Sequence, residues 1–223
     1  MTRPSTLVAL RAIAIGALLA MLPTGCHGAM FRALNRERAD PGGVDSVVFV
    51  PASGLALDVH RPSGFPAAGA PVVVFFHGGT WQNGNREDYR FVGAALAAHG
   101  VLAIIPDYRK APAHPFPEFM ADAGAAVAWA HAHAHEYGGD PARLFVAGHS
   151  AGAHMAALLA TDARYLRAVG MQPRQLRGVV GLSGPYDFLP MTDARLLRVF
   201  GVGPQWRASQ PVNFVDGDEP PFL

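Results

Sequence analysis

The chain has 223 residues, half of them hydrophobic, and its 18 basic residues nearly balance its 17 acidic ones. A net charge of +1 provides no electrostatic signal for binding nucleic acid or an acidic polymer. The single cysteine, Cys26, excludes a disulfide within the chain. Length and hydrophobic content together are typical of one globular domain with a large core.

The first 26 residues differ from the rest of the chain. Arg3 and Arg11 precede an apolar run at residues 12–22, which has the length of a signal-peptide core and is too short to span a bilayer comfortably. The run ends in Leu-Pro-Thr-Gly-Cys, which resembles a bacterial lipoprotein cleavage site. We therefore expect residues 1–26 to be a signal peptide and the protein to be exported, as a periplasmic protein or as a lipoprotein anchored to the membrane through Cys26. The alternative is an ordinary secretory signal with an incidental cysteine.

Alternating strand and helix patterns fill the rest of the chain. We expect a charged linker at residues 27–46 and a single domain at residues 47–223. Because strands and helices alternate from Val72 onward, the pattern predicts an α/β fold with a mostly parallel central sheet and helices on both faces. The predicted strands are Val47–Val50, Leu55–Val59, Val72–Phe76, Val101–Ile105, Leu144–Ala147 and Gly178–Leu182, and the predicted helices are Tyr89–Ala98, Glu118–Glu136 and Ala153–Ala160.

Two details refine this prediction. The first two strands flank Pro-Ala-Ser-Gly and indicate an antiparallel hairpin. The looser stretch Asp193–Asp218 is expected to form part of a cap over a pocket at the carboxyl ends of the strands, where ligands of such sheets bind.

The most informative motif is Gly-His-Ser-Ala-Gly at residues 148–152, between an apolar strand and an alanine-rich helix. This layout is typical of a nucleophile elbow, the turn that exposes a serine hydroxyl above a sheet. Flanking glycines suit a strained turn, and the N-terminus of the following helix directs N–H groups toward a developing oxyanion. Ser150 is therefore the candidate nucleophile. The alternative is a serine N-cap at an ordinary strand–helix junction.

A second motif, His-Gly-Gly-Thr-Trp at residues 77–81, directly follows the strand Val72–Phe76. Adjacent glycines at the carboxyl end of a strand leave backbone N–H groups unshielded. In hydrolases with an elbow, a second oxyanion donor comes from the loop after the third strand. The alternative is a plain Gly-Gly turn with a packing tryptophan.

Both motifs resemble those of the α/β-hydrolase family, and within it a bacterial group of carboxylesterases, feruloyl and acetyl esterases and kynurenine formamidase-like enzymes. Residues 106–109, 116–117, 137–141 and 182–187 extend the resemblance over most of residues 47–223. It implies a serine hydrolase that cleaves short-chain or aromatic carboxylic esters through an acyl-enzyme on Ser150, without cofactor or metal. It further implies specific site residues, namely oxyanion donors at Gly78, Gly79 and Ala151 and a substrate pocket at His77, Trp81 and His149.

The chain departs from the family pattern after the elbow. In the family an aspartate after the seventh strand and a histidine after the eighth complete the triad. The one histidine downstream of Ser150 is His154, four residues along the same predicted helix, where we expect a structural role. Asp187 is the best stand-in for a displaced acid. Candidate acids include Asp162, Asp187, Asp193, Asp216 and Asp218.

We therefore expect a C-terminally truncated hydrolase whose last strands are missing, with Pro220–Leu223 resembling the opening of the seventh strand. Two alternatives to an esterase remain open. One is an arylformamidase or other amidase that uses the same apparatus. The other is a non-catalytic, truncated hydrolase that lacks the acid and the base.

Two further clusters favour structural interpretations. His131, His133 and His135 resemble a metal cluster, but only the first and last share a helix face and no third ligand is evident, so no metal site is expected. Asp107 and Arg109 follow a strand, where they either contact substrate or form a scaffold pair.

Overall fold

The computed structural model describes residues 24–36, 40, 42–64, 69–203 and 205–223. Its strands are β1 (Val44–Val50), β2 (Leu55–His60), β3 (Ala70–Phe76), β4 (Leu102–Pro106), β5 (Gly139–His149) and β6 (Val179–Leu182). Its α-helices are α1 (Thr24–Arg36), α2 (Arg90–Ala98), α3 (Glu118–His133), α4 (Ala151–Thr161), α5 (Ala163–Arg167), α6 (Ala194–Phe200) and α7 (Gln205–Ala208). Short 3₁₀ helices lie at Arg86–Tyr89, Ala134–Tyr137, Pro173–Gln175 and Pro211–Phe214.

The strands form one mixed sheet in the order β1-β2-β4-β3-β5-β6. β1 and β2 form the predicted antiparallel hairpin, and β2 also pairs antiparallel with β4. The remaining three pairs are parallel, which confirms the mostly parallel sheet predicted from the alternation of strands and helices. All six predicted strands are present, although β5 begins at Gly139 rather than at Leu144.

Helices cover both faces of the sheet, as predicted. Side chains of β3 alternate between the two faces of the sheet, as a strand covered on both faces requires. Val72, Val74 and Phe76 lie in the larger core, and Phe75 lies in a second, smaller core on the other face. Helices α3 and α4 contribute to the larger core, and aromatic residues of α1 and α2 pack on the smaller one. The carboxyl ends of β3 and β5 are adjacent, with Phe76 opposite Gly148.

The last residues of the chain run parallel to β6. Val179 donates its N–H to the Pro221 carbonyl (2.9 Å), Leu223 N–H donates to the Val179 carbonyl (2.9 Å), and Gly181 N–H donates to the Leu223 carbonyl (2.8 Å). Residues 221–223 therefore cover the outer edge of β6, in agreement with their resemblance to the start of a seventh strand.

The segment expected to be a linker, residues 27–46, contains most of α1 and the start of β1. Alanine, methionine, leucine and arginine in this segment favour a helix, and a side-chain contact stabilises it: Phe31 packs on Tyr89 with ring centroids 5.1 Å apart. Residues 1–23 of the expected signal peptide lie outside the described residues, and Cys26 falls within α1. In the part of the chain that the structure describes, no helix is both long and apolar enough to cross a membrane.

The stretch expected to be a loose cap, Asp193–Asp218, contains α6, α7 and one 3₁₀ helix. Phe200 at the end of α6 is fully buried and packs against Phe116 and Phe119, with ring centroids 5.6 and 6.3 Å apart. This part of the stretch therefore belongs to the main core. The role of the remainder as a cap stays a prediction.

Candidate active site

Ser150 forms the turn between β5 and α4. Its backbone lies in the left-handed region (φ 53°, ψ −116°), which is unfavourable for a residue with a Cβ. The Ser150 N–H donates to the Leu182 carbonyl of β6 (2.8 Å), and Ala151 begins the helix. The strained strand–turn–helix predicted at this motif is therefore confirmed, and the N-terminus of α4 lies directly behind the serine.

The two glycines of the motif are required by close main-chain approach. A Cβ at Gly152 would collide with the Phe76 carbonyl oxygen at the end of β3, and a Cβ at Gly148 would collide with the Gly152 main chain. Because neither obstacle is a flexible side chain, no other residue fits without moving backbone. The first turn of α4 is consequently pressed against the end of β3, where the Gly-Gly loop begins.

The loop at residues 77–81 lies against the elbow. A Cβ at Gly78 would be 2.8 Å from Nδ1 of His149, the residue that precedes Ser150. Gly79 has φ 130°, and its carbonyl accepts from the N–H groups of Gln82 (3.0 Å) and Asn83 (2.8 Å). The structure thus brings together the predicted nucleophile and the glycines predicted to supply oxyanion donors.

His77 shapes the loop from within the core. It is fully buried, its Nδ1 donates to the Gly78 carbonyl (2.8 Å), and its ring stacks on Tyr108 with centroids 4.3 Å apart. Burial lowers the pKa of His77 to about 4, so the ring is neutral at physiological pH. The Tyr108 hydroxyl donates to the His77 carbonyl (3.1 Å), which fixes the backbone where β3 ends.

Tyr89 is a residue of the site that sequence reasoning missed. Its hydroxyl lies 2.7 Å from His149 Nδ1, and the residue is 5% exposed. Tyr89 ends a 3₁₀ helix, 60 positions before His149, and no motif in the sequence connects the two. Burial lowers the pKa of His149, which keeps this ring neutral as well.

Trp81 and His154 lie in an aromatic cluster beneath the elbow. Trp81 is 3% exposed and donates from Nε1 to His154 Nδ1 (3.2 Å), while His154 Nε2 donates to the Ser209 carbonyl (2.7 Å). Burial lowers the pKa of His154 to about 4. With both ring nitrogens engaged and the ring fully buried, the structural role predicted for His154 is confirmed. Trp81 packs on Phe188 and Phe200, and its contribution to a substrate pocket stays a prediction.

Asp107 and Arg109 do not pair with each other. Asp107 accepts from the backbone N–H (2.9 Å) and the guanidinium (2.5 Å) of Arg86, which also donates to Asp58 (2.9 Å). Arg109 binds Asp122 of α3 through Nη2 (2.8 Å) and Nε (3.0 Å). Of the two interpretations left open for these residues, the scaffold pair is wrong, because each side chain binds a partner from a different element.

Two of the candidate acids are helix caps. Asp162 accepts from the Arg164 backbone N–H (3.1 Å) at the start of α5, and Asp193 accepts from the Arg195 backbone N–H (2.8 Å) at the start of α6. Asp162 also forms an ion pair with Arg164, and Asp193 forms one with Arg195. The exposed candidate acids are Asp187, Asp216 and Asp218.

His131 and His133 lie at the end of α3, and His135 lies in the 3₁₀ helix that follows it. His133 packs edge-on against Trp129 with ring centroids 4.7 Å apart, and its Nδ1 is 3.5 Å from Glu136. Among the described ranges, no group of three or more His, Cys, Asp or Glu side chains is arranged to hold a metal ion.

Known proteins that are similar to this chain in sequence include esterases. The model of the BD-FAE family matches residues 57–223. Esterase LipC of Mycobacterium tuberculosis is 35% identical over 185 residues, 75% of this chain and 46% of LipC. Carboxylesterase NlhH of the same organism is 46% identical over 96 residues, 42% of this chain and 30% of NlhH. The chain thus spans less than half the length of these curated relatives.

Solved structures agree in fold. Thermogutta terrifontis esterase 2 phosphonylated by sarin superposes with a TM-score of 0.68 at 27% identity, covering 81% of this chain and 71% of that one. The butyrate-bound form of the Thermogutta terrifontis esterase Est2 gives a TM-score of 0.67 at 25% identity, covering 82% and 71%. The predicted α/β-hydrolase fold is therefore confirmed.

Proposed function

Because this chain belongs to the BD-FAE family, we propose that it carries the nucleophile and the oxyanion hole of a serine carboxylesterase. The observation that carries the proposal is the positive φ of Ser150, whose neighbours His149 and Gly152 lie close against Gly78 and the end of β3. Such strain persists only where the surrounding structure overdetermines it, and an exposed nucleophile is a recognised use for it.

The arrangement suits acyl transfer. Ser150 Oγ attacks the ester carbonyl carbon, and the carbonyl oxygen takes up negative charge in the tetrahedral intermediate. Backbone N–H groups of Ala151 and Gly79 stabilise that charge, helped by the positive end of α4, whereas the Gly78 N–H is directed at the Tyr89 hydroxyl. The bond to the alcohol then breaks, which leaves an acyl-enzyme that water hydrolyses.

A base must accept the proton of the Ser150 hydroxyl. His154 does not fit this role, because it is fully buried with both ring nitrogens engaged. His149 does not fit either, because its Nδ1 binds Tyr89. We therefore assign the base to neither of the histidines that flank the nucleophile.

Short acyl esters are the proposed substrates. The esterase names of the relatives and the butyrate- and propionate-bound forms of the Thermogutta terrifontis esterase support a small acyl group. Acyl transfer through a serine needs no cofactor, so none is proposed.

The test compares p-nitrophenyl acetate, p-nitrophenyl butyrate and N-formylkynurenine as substrates of the full-length gene product. We expect hydrolysis of the two esters, loss of at least about 10³-fold in Ser150→Ala, and labelling of Ser150 by a fluorophosphonate. Ser183→Ala is the matched control, since Ser183 has a similar φ (55°) at the end of the neighbouring strand. Preference for N-formylkynurenine would favour an amidase, and an unlabelled Ser150 with no hydrolysis would overturn the proposal.

Export and lipid attachment at Cys26 are further proposals, supported by the basic, apolar and cysteine-terminated pattern of residues 1–26. Cys26→Ala is expected to move the full-length protein from the membrane fraction to the soluble exported fraction, whereas Thr24→Ala is expected to leave it membrane-bound. Unchanged fractionation of Cys26→Ala would refute the anchor.

A further inference from the structure

We propose that Tyr89 is a positioning residue for the oxyanion hole, because its hydroxyl joins the Gly-Gly loop to the nucleophile elbow. The inference rests on the proposed ester hydrolysis at Ser150. It assigns a function to a side chain outside both sequence motifs.

The elbow and the Gly-Gly loop meet at the Tyr89 hydroxyl. Oη lies 2.7 Å from Nδ1 of His149, which belongs to the elbow. A Cβ at Gly78 would be 2.9 Å from the same hydroxyl and 2.8 Å from the same ring nitrogen. The hydroxyl therefore occupies the point where the loop and the elbow come closest, and only a glycine leaves room for it there.

Both groups are neutral, so the tautomer of His149 decides the direction of the bond. Burial raises the pKa of Tyr89, opposed by a hydrogen bond from the Gly78 backbone, so the phenol keeps its proton. Burial lowers the pKa of His149, so its ring is neutral. We assign the phenol as donor to Nδ1, which leaves the His149 proton on Nε2.

The ring of Tyr89 is fixed from the opposite side. It packs against Phe31 of α1, Phe75 of β3 and Phe91 of α2, with ring centroids 5.1, 5.6 and 6.0 Å apart. Asn35 of α1 accepts from the Phe91 backbone N–H (2.9 Å) and donates to the Glu87 carbonyl (3.0 Å), so it spans the turn that carries Tyr89. The ring is packed on one side, and the hydroxyl contacts His149 Nδ1 and the Gly78 backbone on the other, so the position of the hydroxyl is fixed.

Displacement of the Gly-Gly loop would weaken stabilisation of the transition state more than it weakens binding of the substrate. The backbone donors act on charge that develops in the transition state, and an error of about 1 Å in such geometry costs on the order of 100-fold in rate. Loss of the Tyr89 hydroxyl should therefore lower kcat more than it changes KM.

The first experiment is Tyr89→Phe in the full-length protein, with p-nitrophenyl butyrate as substrate. We expect kcat to fall by about 10- to 100-fold while KM stays within about twofold and the melting temperature stays close to that of the wild type. Tyr165→Phe is the control, since Tyr165 is a half-buried tyrosine of α5, and it should leave both constants unchanged. An active wild type whose Tyr89→Phe variant keeps kcat within twofold overturns the role of Tyr89.

A double-mutant cycle tests the contact itself. His149→Leu removes the acceptor, and the double variant with Tyr89→Phe should lose no more of kcat than the more damaging single variant, because both changes break one interaction. Additive losses would overturn the proposal. If one single variant fails to fold, the loss of kcat in the other still tests the hydrogen bond.

The third readout needs no turnover. In ¹⁵N spectra of the imidazole rings, the His149 signal, identified by its loss in His149→Leu, should show an Nε2–H tautomer and should shift in Tyr89→Phe. An unshifted signal overturns the contact. If the wild type hydrolyses no ester, the proposed function fails and the catalytic role fails with it, whereas the shift would still identify the hydrogen bond.

Discussion

The carboxyl edge of the sheet has two halves that are built in different ways. The elbow half, residues 76–81 and 148–152, is closed by main chain packed directly on main chain, as at Gly152 and the Phe76 carbonyl. The charged half, formed by Asp58, Arg86 and Asp107 beside β2 and β4, consists of ion pairs between side chains. The halves meet at His77, whose Nε2 is 3.7 Å from Asp107.

This difference indicates where the molecule tolerates change. In the elbow half an added methyl group meets backbone, which cannot move without displacing a strand or a helix. In the charged half a missing side chain leaves space that water can enter, because Arg86 is 20% exposed. We therefore expect an added methyl group in the elbow half to lower the free energy of unfolding more than removal of a whole side chain from the charged half.

The largest effect is expected for Gly152→Ala. The new Cβ would collide with the Phe76 carbonyl oxygen, and we expect the free energy of unfolding to fall by more than about 3 kcal/mol, measured by urea denaturation. Gly64→Ala is the matched control, because an added Cβ there meets nothing within 4 Å and should change stability by less than about 0.5 kcal/mol. Similar free energies of unfolding for the two variants would contradict the expected intolerance of the elbow half to an added methyl group.

An intermediate effect is expected on acidification, through His154, a neutral histidine buried beside the elbow half. The folded pKa of His154 is about 4, against 6.5 for the free side chain, so the unfolded chain binds more protons between these values. The contribution of the neutral His154 ring to the free energy of unfolding is complete above pH 6.5 and is lost as the pH falls toward 4. Between pH 7 and pH 5 this loss amounts to about 2 kcal/mol.

His154→Gln should remove that part of the pH dependence, because glutamine keeps a donor and an acceptor but does not ionise. The measurement is the free energy of unfolding of both proteins at pH 7 and pH 5. His99→Gln, on the exposed turn after α2, should retain the wild-type slope. An unchanged slope in His154→Gln would show that another group causes the acid sensitivity.

The smallest effect is expected in the charged half. Arg86→Ala leaves Asp58 and Asp107 without their shared guanidinium, and we expect a loss of about 1.5 kcal/mol in the free energy of unfolding. Arg195→Ala, which removes an exposed partner of Asp193, should give a urea midpoint indistinguishable from that of the wild type. A loss in Arg86→Ala larger than in Gly152→Ala would invert the proposed order of the two halves.

Local patterns in the sequence predicted most of the architecture. Runs such as 72–76 and 101–105 carry the strand signal within a few residues, and glycines 148 and 152 carry the elbow signal because both the turn and the close approach exclude side chains. The boundaries were less accurate, as at the start of β5. The segment expected as a linker contains most of a helix, which is stabilised in part by Phe31 on Tyr89, a contact that a local pattern does not show.

By itself, the sequence determined the order of the strands along the chain, the strained serine and the glycine loop, because each depends on neighbours within about ten residues. Only the tertiary structure decided the partners of the polar side chains. Arg86 binds Asp107 across 21 positions, Trp81 donates to His154 across 73, and Tyr89 reaches His149 across 60. Such pairs form because the sheet brings distant segments to one edge, and no periodicity in the chain encodes that meeting.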